Sequence, residues 1–212
     1  VALEEIENPP AVGVGTDRDA SLARLVEALN KDAGAGTWAY VPSPGAVPEA
    51  EDVIRVAFIY KPATVSPVGP SVIHDDPAFT GSARQPLAQE FARVSTERAA
   101  PASFVVVANH FKSKGSVPEG APPGNVDSGD GQGNANAIRV AQASSLAAFA
   151  ARFSGKPTLL VGDFNSYSQE DPIKALEAAG WERVSGAGES SYVYAGRSGS
   201  LDHVFANAAA KP

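Results

Sequence analysis

Residues 158–166 read TLLVGDFNS, a continuous apolar run that meets Gly162-Asp163-Phe164-Asn165 with no charge ahead of the aspartate. A short unbroken run of this kind predicts a strand buried on both faces. An aspartate and an amide therefore follow just past the end of a core strand. By itself such a Gly-Asp-x-Asn corner is also explained as a hydrogen-bonded turn, because Asp and Asn side chains bond readily to nearby backbone. Toward the C-terminus, Asp171 and Pro172 open a short helix expected over 172–179, since proline suits a first turn. Strands are expected at 181–184, 192–194 and 201–206. Toward the N-terminus, Ile138, Ala141, Leu146, Phe149 and Phe153 mark an amphipathic helix over 136–153. Ahead of it, 112–134 is a long polar loop, and loops of that length inside a domain are usually functional. Strands are expected at 104–111, 91–95 and 53–60 (VIRVAFIY). Five prolines break 62–88 into a loop holding one short strand near 64–68. A helix over 19–31 carries Leu22, Leu25, Val26 and Leu29 at i, i+3, i+4 and i+7. Strands and helices mix without strict alternation, so a sandwich fits better than a doubly wound parallel sheet.

The chain has 212 residues and a net charge of −7, with 24 acids and 17 bases. A single domain over 1–212 is expected, as neither an internal repeat nor a linker divides it. A chain this acidic has no broad basic face to attract a polyanion. A nucleic-acid ligand would need a few placed cations or a bound metal. Cysteine is absent, which excludes disulfides and thiolate zinc sites. No apolar run approaches the roughly 20 residues of a membrane-spanning helix. Methionine is absent too, and Val1–Leu3 has no charged segment before it. The chain is expected to be a processed or truncated piece.

Four places put acids, amides or histidine at the ends of apolar strands. In Leu3-Glu4-Glu5-Ile6-Glu7-Asn8, three carboxylates repel one another unless solvent or a cation intervenes. A solvated turn explains them, as does a hard-metal site with oxygen ligands. In Asn109-His110-Phe111-Lys112-Ser113-Lys114, a histidine at a strand end is followed by groups able to meet phosphate oxygens. Gly162–Asn165 is the third. The fourth is Ser200-Leu201-Asp202-His203. Neighbours on a strand face opposite ways, so Asp202 is expected in a cleft and His203 away from it. Asn136 and Arg139 are expected at the surface, as capping and solvated groups, with a place in the cleft lining as the alternative.

Taken in order, these segments resemble the endonuclease/exonuclease/phosphatase superfamily with its deoxyribonuclease-like fold, and in particular its bacterial extracellular nucleases. LEEIEN is similar to the family's Leu-x-Glu metal motif, IYKP to its following strand and NHFKSKG to its histidine strand. GQGNANAIRVAQA is similar to a loop-to-helix segment of those nucleases, GDFN is the family's Gly-Asp-x-Asn, and SGSLDH resembles its late aspartate strand. The resemblance implies a four-layer α/β/β/α sandwich of two mixed sheets flanked by helices. It implies metal-dependent phosphodiester hydrolysis by a secreted bacterial nuclease acting on DNA, with RNA as a further substrate. Glu5 would hold Mg2+, with Ca2+ or Mn2+ as alternatives. His110 would contact the scissile phosphate and neutralise or protonate the departing oxygen. Asp163 would orient or activate water, and Asn165 would hold a phosphate oxygen. Asp202 would orient a catalytic histidine, while Arg84 and Asn109 would contact substrate. No membrane or protein partner is implied. Relative to the family, the first strand and the C-terminal Ser-Asp-His segment are missing, so this piece alone is expected to be weak or inactive.

Two other readings compete. The same fold could act on a phospholipid or inositol phosphate, because fold alone does not set substrate. Membrane-active relatives are expected to expose an aromatic hairpin, and none is evident in the sequence. The other alternative is a catalytically incomplete binding module. The joint presence of Glu5, His110, Asp163, Asn165 and Asp202 argues against that.

Overall fold

The chain runs β1 (Ala2–Glu7), α1 (Pro9–Val12), α2 (Ala20–Ala33), β2 (Ala39–Tyr40), β3 (Ile54–Tyr60), β4 (Val65–Pro67), β5 (Val72–Ile73), β6 (Arg84–Arg93) and β7 (Ser103–His110). It continues through α3 (Asn136–Ala150), β8 (Thr158–Asp163), α4 (Asp171–Ala178), β9 (Glu182–Arg183), β10 (Tyr192–Tyr194), β11 (Arg197–Gly199) and β12 (Asp202–Ala206). This computed structural model describes residues 1–94, 102–186, 188 and 190–211. Ser95, the last residue of the expected strand 91–95, lies outside them.

Two sheets face each other. The smaller has the order β1-β3-β2. The larger has seven strands, ordered β4-β6-β7-β8-β12-β9 with β5 also paired to β6. The β7–β8 pair is parallel and its neighbours are antiparallel, so the sheet is mixed. Burial sorts the strand residues by parity, as the two-residue side-chain period requires. Val105 and Val107 face α3 and α4 in a core with Leu146, Phe149, Leu160, Ile173 and Phe205. Phe104, Val106 and Ala108 face the smaller sheet in a second core with Val56, Phe58, Leu87 and Phe91. On the far side of the smaller sheet, Leu22 and Val26 of α2 pack on Ala57 and Ile59, with Leu3 and Ile6 beside them. The layers are therefore helix, sheet, sheet, helix, as expected.

The short elements α1, β2, β5 and β11 have no counterpart in the sequence expectation, and three further features differ from it. First, β6 begins at Arg84 and runs through Pro86, within the stretch read as a proline-broken loop. The ladder to β7 shifts register between Arg84 and Leu87. A proline is tolerated at such a bulge because no donor is needed there. Second, α3 ends at Ala150, with Ala151–Phe153 forming a 3-10 turn. Third, β10 and β11 form a hairpin whose Tyr192 and Tyr194 are exposed. The expectation that no exposed aromatic hairpin exists is thus overturned. Tyr-Val-Tyr reads as an ordinary strand, and only its lack of a second sheet to pack on exposes it.

Candidate active site

The ladder of the larger sheet sets a row of polar residues side by side at one end of four neighbouring strands. Arg84 of β6 pairs with His110 of β7, His110 with Asp163 of β8, and Asp163 with Asp202 of β12. Directly paired residues share a face, and parity places this row toward the smaller sheet. His110 Nε2 lies 3.5 Å from an Asp163 carboxylate oxygen and 3.4 Å from an Arg84 guanidinium nitrogen. Arg84 Nε is also 3.2 Å from Asp52 Oδ2. Sequence reading did not single out Asp52. It lies far from Arg84 in the chain, and no local motif surrounds it.

β1 closes the opposite side. Its ladder to β3 shifts between Leu3 and Ile6, placing two glutamates between residues that both pack under α2. This bulge lets Leu3 and Ile6 stay on one face although three positions apart. Glu5 takes a left-handed φ of 59° there. Glu4, which sequence reading passed over as a candidate, lies on the cleft side with Asp202 and Gly162. The only available signal was its place in an acidic triplet. Burial raises its carboxyl pKa to about 7, helped by the charges of Asp202, Asp163 and Glu5. Burial likewise raises Asp163 to about 6, with Asp202 and Glu5 adding to the rise while the Asn165 amide and Arg84 oppose it. Glu4, Glu5, Asp163 and Asp202 thus feel one another across the cleft.

His110, expected to neutralise or protonate the departing oxygen, lies beside the Arg84 guanidinium. Burial, then the adjacent Arg84 charge, lower its pKa to about 4, so the ring is neutral at pH 7. Fixed positive charge in the row comes from Arg84. His110 can still donate a hydrogen bond from its single N–H.

The Gly-Asp-x-Asn corner is tightly built. Asn165 has a left-handed φ of 47°, and its backbone N–H donates to Asp163 Oδ1 at 2.6 Å. Its side-chain amide donates to Phe111 O at 3.0 Å and Asp163 Oδ2 at 3.1 Å. Both amide hydrogens are therefore engaged within the corner. To hold a phosphate oxygen the amide must release one.

Asn109 does not join the row. It is fully buried on the opposite face of β7, and its amide donates to Val161 O at 2.7 Å. The alternation that separates Asp202 from His203 separates His110 from Asn109 as well. Asn109 braces β7 against β8 and faces away from the row expected to meet substrate. His203 behaves as expected. It is buried, with Nε2 donating to Ser166 O at 2.8 Å beside Phe164 and Phe205.

Arg139 also corrects its expectation of a solvated surface role. It is fully buried at the start of α3. Its guanidinium donates to Asn134 O at 2.6 Å, Gln132 O at 2.8 Å and Ser166 Oγ at 3.2 Å. It therefore ties the end of the 112–134 loop to the residue after Asn165. Asn136 is at the surface side of this cluster, donating to Asp171 Oδ2 at 2.7 Å.

Among the described residues, no three Asp, Glu or His side chains are gathered closely enough to form a ready ligand sphere. Magnesium needs less, because it commonly binds through one or two carboxylates and keeps several waters. The donors facing the cleft are hard oxygens, and the raised pKa values of Glu4 and Asp163 reflect burial first and mutual repulsion second. In type and charge they fit a hard divalent cation.

No family model matches the chain, and no curated protein matches it significantly. Solved structures do match. D. rerio TDP2 complexed with single strand DNA product aligns with a TM-score of 0.59 at 14% identity, covering 99% of this chain and 70% of that one. ANGEL2, described as a 2',3'-cyclic phosphatase in complex with adenosine-2',3'-vanadate, gives 0.56 at 13% identity over 98% and 69%. The endonuclease/exonuclease/phosphatase from Bacteroides vulgatus gives 0.52 at 12% identity over 98% and 72%. The chain therefore has the endonuclease/exonuclease/phosphatase fold.

Proposed function

We propose that this protein is a divalent-metal-dependent phosphodiesterase acting on nucleic acid, of the secreted bacterial nuclease type. The observation that carries this reading is the row Arg84–His110–Asp163–Asp202 across four adjacent strands, opposed by Glu4 and Glu5 from the other sheet. Phosphodiester hydrolysis needs an aligned water, a proton acceptor and charge neutralisation on the non-bridging oxygens. Asp163, with a pKa raised to about 6, is a suitable acceptor near neutral pH and is held by Asn165. Arg84 supplies fixed positive charge beside it, and the neutral His110 offers one hydrogen bond from beneath. Asp202, exposed at the start of β12, is free to orient a further group at the cleft mouth. Glu5, with Glu4 beside it, would hold the cation, which when bound supplies charge against the phosphate oxygens. The row explains how a chain of charge −7 can act on a polyanion. A nucleic-acid substrate is further supported by the fold shared with the TDP2 structure that holds a DNA strand.

The test is nicking of supercoiled plasmid by the full-length parent protein with magnesium, with and without chelator. Chelator is expected to stop it, and Glu5→Ala to reduce the rate at least about 100-fold, the scale of removing a transition-state charge stabiliser. Undiminished nicking by Glu5→Ala overturns the site assignment.

A further inference from the structure

The β10–β11 hairpin pairs with neither large sheet among the described residues, yet it stands beside the candidate site. Its two-residue turn is Ala195-Gly196, both left-handed at φ 49° and 75°. Cross-strand pairing sets Tyr194 opposite Arg197 and Tyr192 opposite Gly199, so these positions share one face. The Tyr192 and Tyr194 rings lie 11° from parallel with centroids 6.3 Å apart, and are 42% and 68% exposed as residues. At the foot of that face is Tyr167. A Cβ on Gly199 would fall 2.7 Å from the Tyr167 ring, so glycine is what lets the ring lie against the hairpin. Lys114 Nζ sits 4.4 Å from the Tyr167 ring centroid, and is held there by an ion pair with Glu170.

A strip of aromatic faces therefore runs from the hairpin tip inward to Tyr167, two residues beyond Asn165. Arg197 flanks its outer end and Lys114 its inner end. Arg197 has no hydrogen-bond or ion-pair partner among the described residues. The strip is also tied to the row. Ser191 Oγ, immediately before Tyr192, accepts from the backbone N–H groups of Leu201 and Asp202 at 3.1 and 3.2 Å.

We propose that Tyr192, Tyr194 and Tyr167 form a stacking platform for unpaired bases of a nucleic-acid strand whose phosphate occupies the Asp163–Asp202 site. The inference rests on the phosphodiesterase reading and specifies its substrate as single-stranded. Sequence-tolerant binding of single strands combines aromatic faces with cations that follow the backbone, which is the composition of this strip. Stacked bases in a duplex present only their edges, so a row of ring faces is of use only where bases are splayed. A lipid surface is the less suitable occupant. The turn at the tip is Ala-Gly flanked by a phenol and a guanidinium, and the aromatic face is continuous with the cleft.

The test uses fluorescence anisotropy of a labelled oligothymidylate with chelator present, together with steady-state cleavage of single-stranded and duplex oligonucleotides with magnesium. In the Tyr192→Ala/Tyr194→Ala double variant, single-strand affinity is expected to fall at least about 10-fold, with KM raised and kcat little changed. The Tyr192→Phe/Tyr194→Phe pair is expected to retain affinity. Arg197→Gln is expected to weaken binding several-fold and to lower its salt dependence. Single-strand binding by the alanine pair equal to the parent's overturns the platform while leaving plasmid nicking to decide the phosphodiesterase reading separately. Loss of binding to phosphatidylglycerol vesicles with oligonucleotide binding intact also overturns it, in favour of a membrane contact. If the parent cleaves neither oligonucleotides nor a nitrophenyl phosphodiester, the hydrolase reading itself has failed.

Discussion

Gly162→Ala tests the construction of the site most directly, because the glycine sits where three strands meet. Gly162 pairs with Asn109 on β7 and His203 on β12, one position before the His110–Asp163–Asp202 row. Its φ is +131°, a conformation that residues with a Cβ rarely adopt. A Cβ built there would lie 2.0 Å from Asn109 O and 3.0 Å from Glu4 Oε1. Glu4 can turn away, whereas the carbonyl belongs to the backbone of a central strand. The strands must therefore part by more than 1 Å, or Gly162 must change its φ and break the ladder. Backbone strain of about 1–3 kcal/mol together with overpacking of about 1–3 kcal/mol gives an expected loss of about 2–6 kcal/mol. For a domain of this size that lowers Tm by roughly 4–24 °C. Urea unfolding followed by tryptophan fluorescence measures the loss. Gly155→Ala is the control, since nothing lies within 4 Å of its Cβ position and its φ is not positive. A Gly162→Ala protein within about 1 kcal/mol of the parent refutes this account of the corner.

Arg139→Met should leave the carbonyls of Gln132 and Asn134 without their buried donor, at a loss of about 3 kcal/mol, with faster proteolytic cleavage in 112–134 as the second readout. Unaltered proteolysis would contradict the strap assigned to Arg139. Glu4→Gln should stabilise the chelator-treated protein at pH 8. The raised pKa of Glu4 means that the folded state binds its proton more tightly than the unfolded state. Its destabilisation is therefore present above about pH 7 and relieved as pH falls toward 4.5. Allowing for partial exposure, the gain at pH 8 is about 1–2 kcal/mol, disappearing near pH 4.5. A gain independent of pH would show that the like-charge cluster is not its source.

The layers were legible because periodicity is local. The Leu22–Leu29 stripe, the runs before Tyr60, His110 and Asp163, and the markers of α3 each report the face they bury. Elements whose identity depends on distant partners were not legible. β6 passes through Pro86 only because a bulge against β7 absorbs the proline. Arg139 looks like a solvated helix residue until a loop 23 residues long folds over it, its ends tied at Gln142 and Asn134. Tyr192 and Tyr194 read as strand residues of any kind, since sequence does not say whether a second sheet covers them. The candidate site lay between these cases. Its acids and histidine stand in motifs, so Asp163, Asp202 and His110 were singled out. Asn109 shares a motif with His110 but not a face, and Glu4 gains its position from the bulge that it shares with Glu5.

The places where local rules are broken give a reading of the site that does not depend on likeness to any other protein. Four described non-glycine residues have a left-handed φ, and two of them are Glu5 and Asn165. The Glu5 conformation costs about 1 kcal/mol or more, whereas asparagine is the non-glycine residue that best tolerates it. The same cleft holds a carboxyl displaced to about 7, another to about 6 and a histidine displaced to about 4. His110 Nδ1 is buried there without a partner in the structure. Orphaned atoms also occur elsewhere, at Gln89 and Arg183, so they are weak markers alone. Among the described residues, strain, displaced titration and convergence coincide at the end of β1, β7, β8 and β12. A sequence shaped by stability alone would place glycine at 5 and an apolar residue at 4. Glutamates at both positions carry an energetic cost, and the proposed cation with its phosphate ester would turn this local repulsion into attraction.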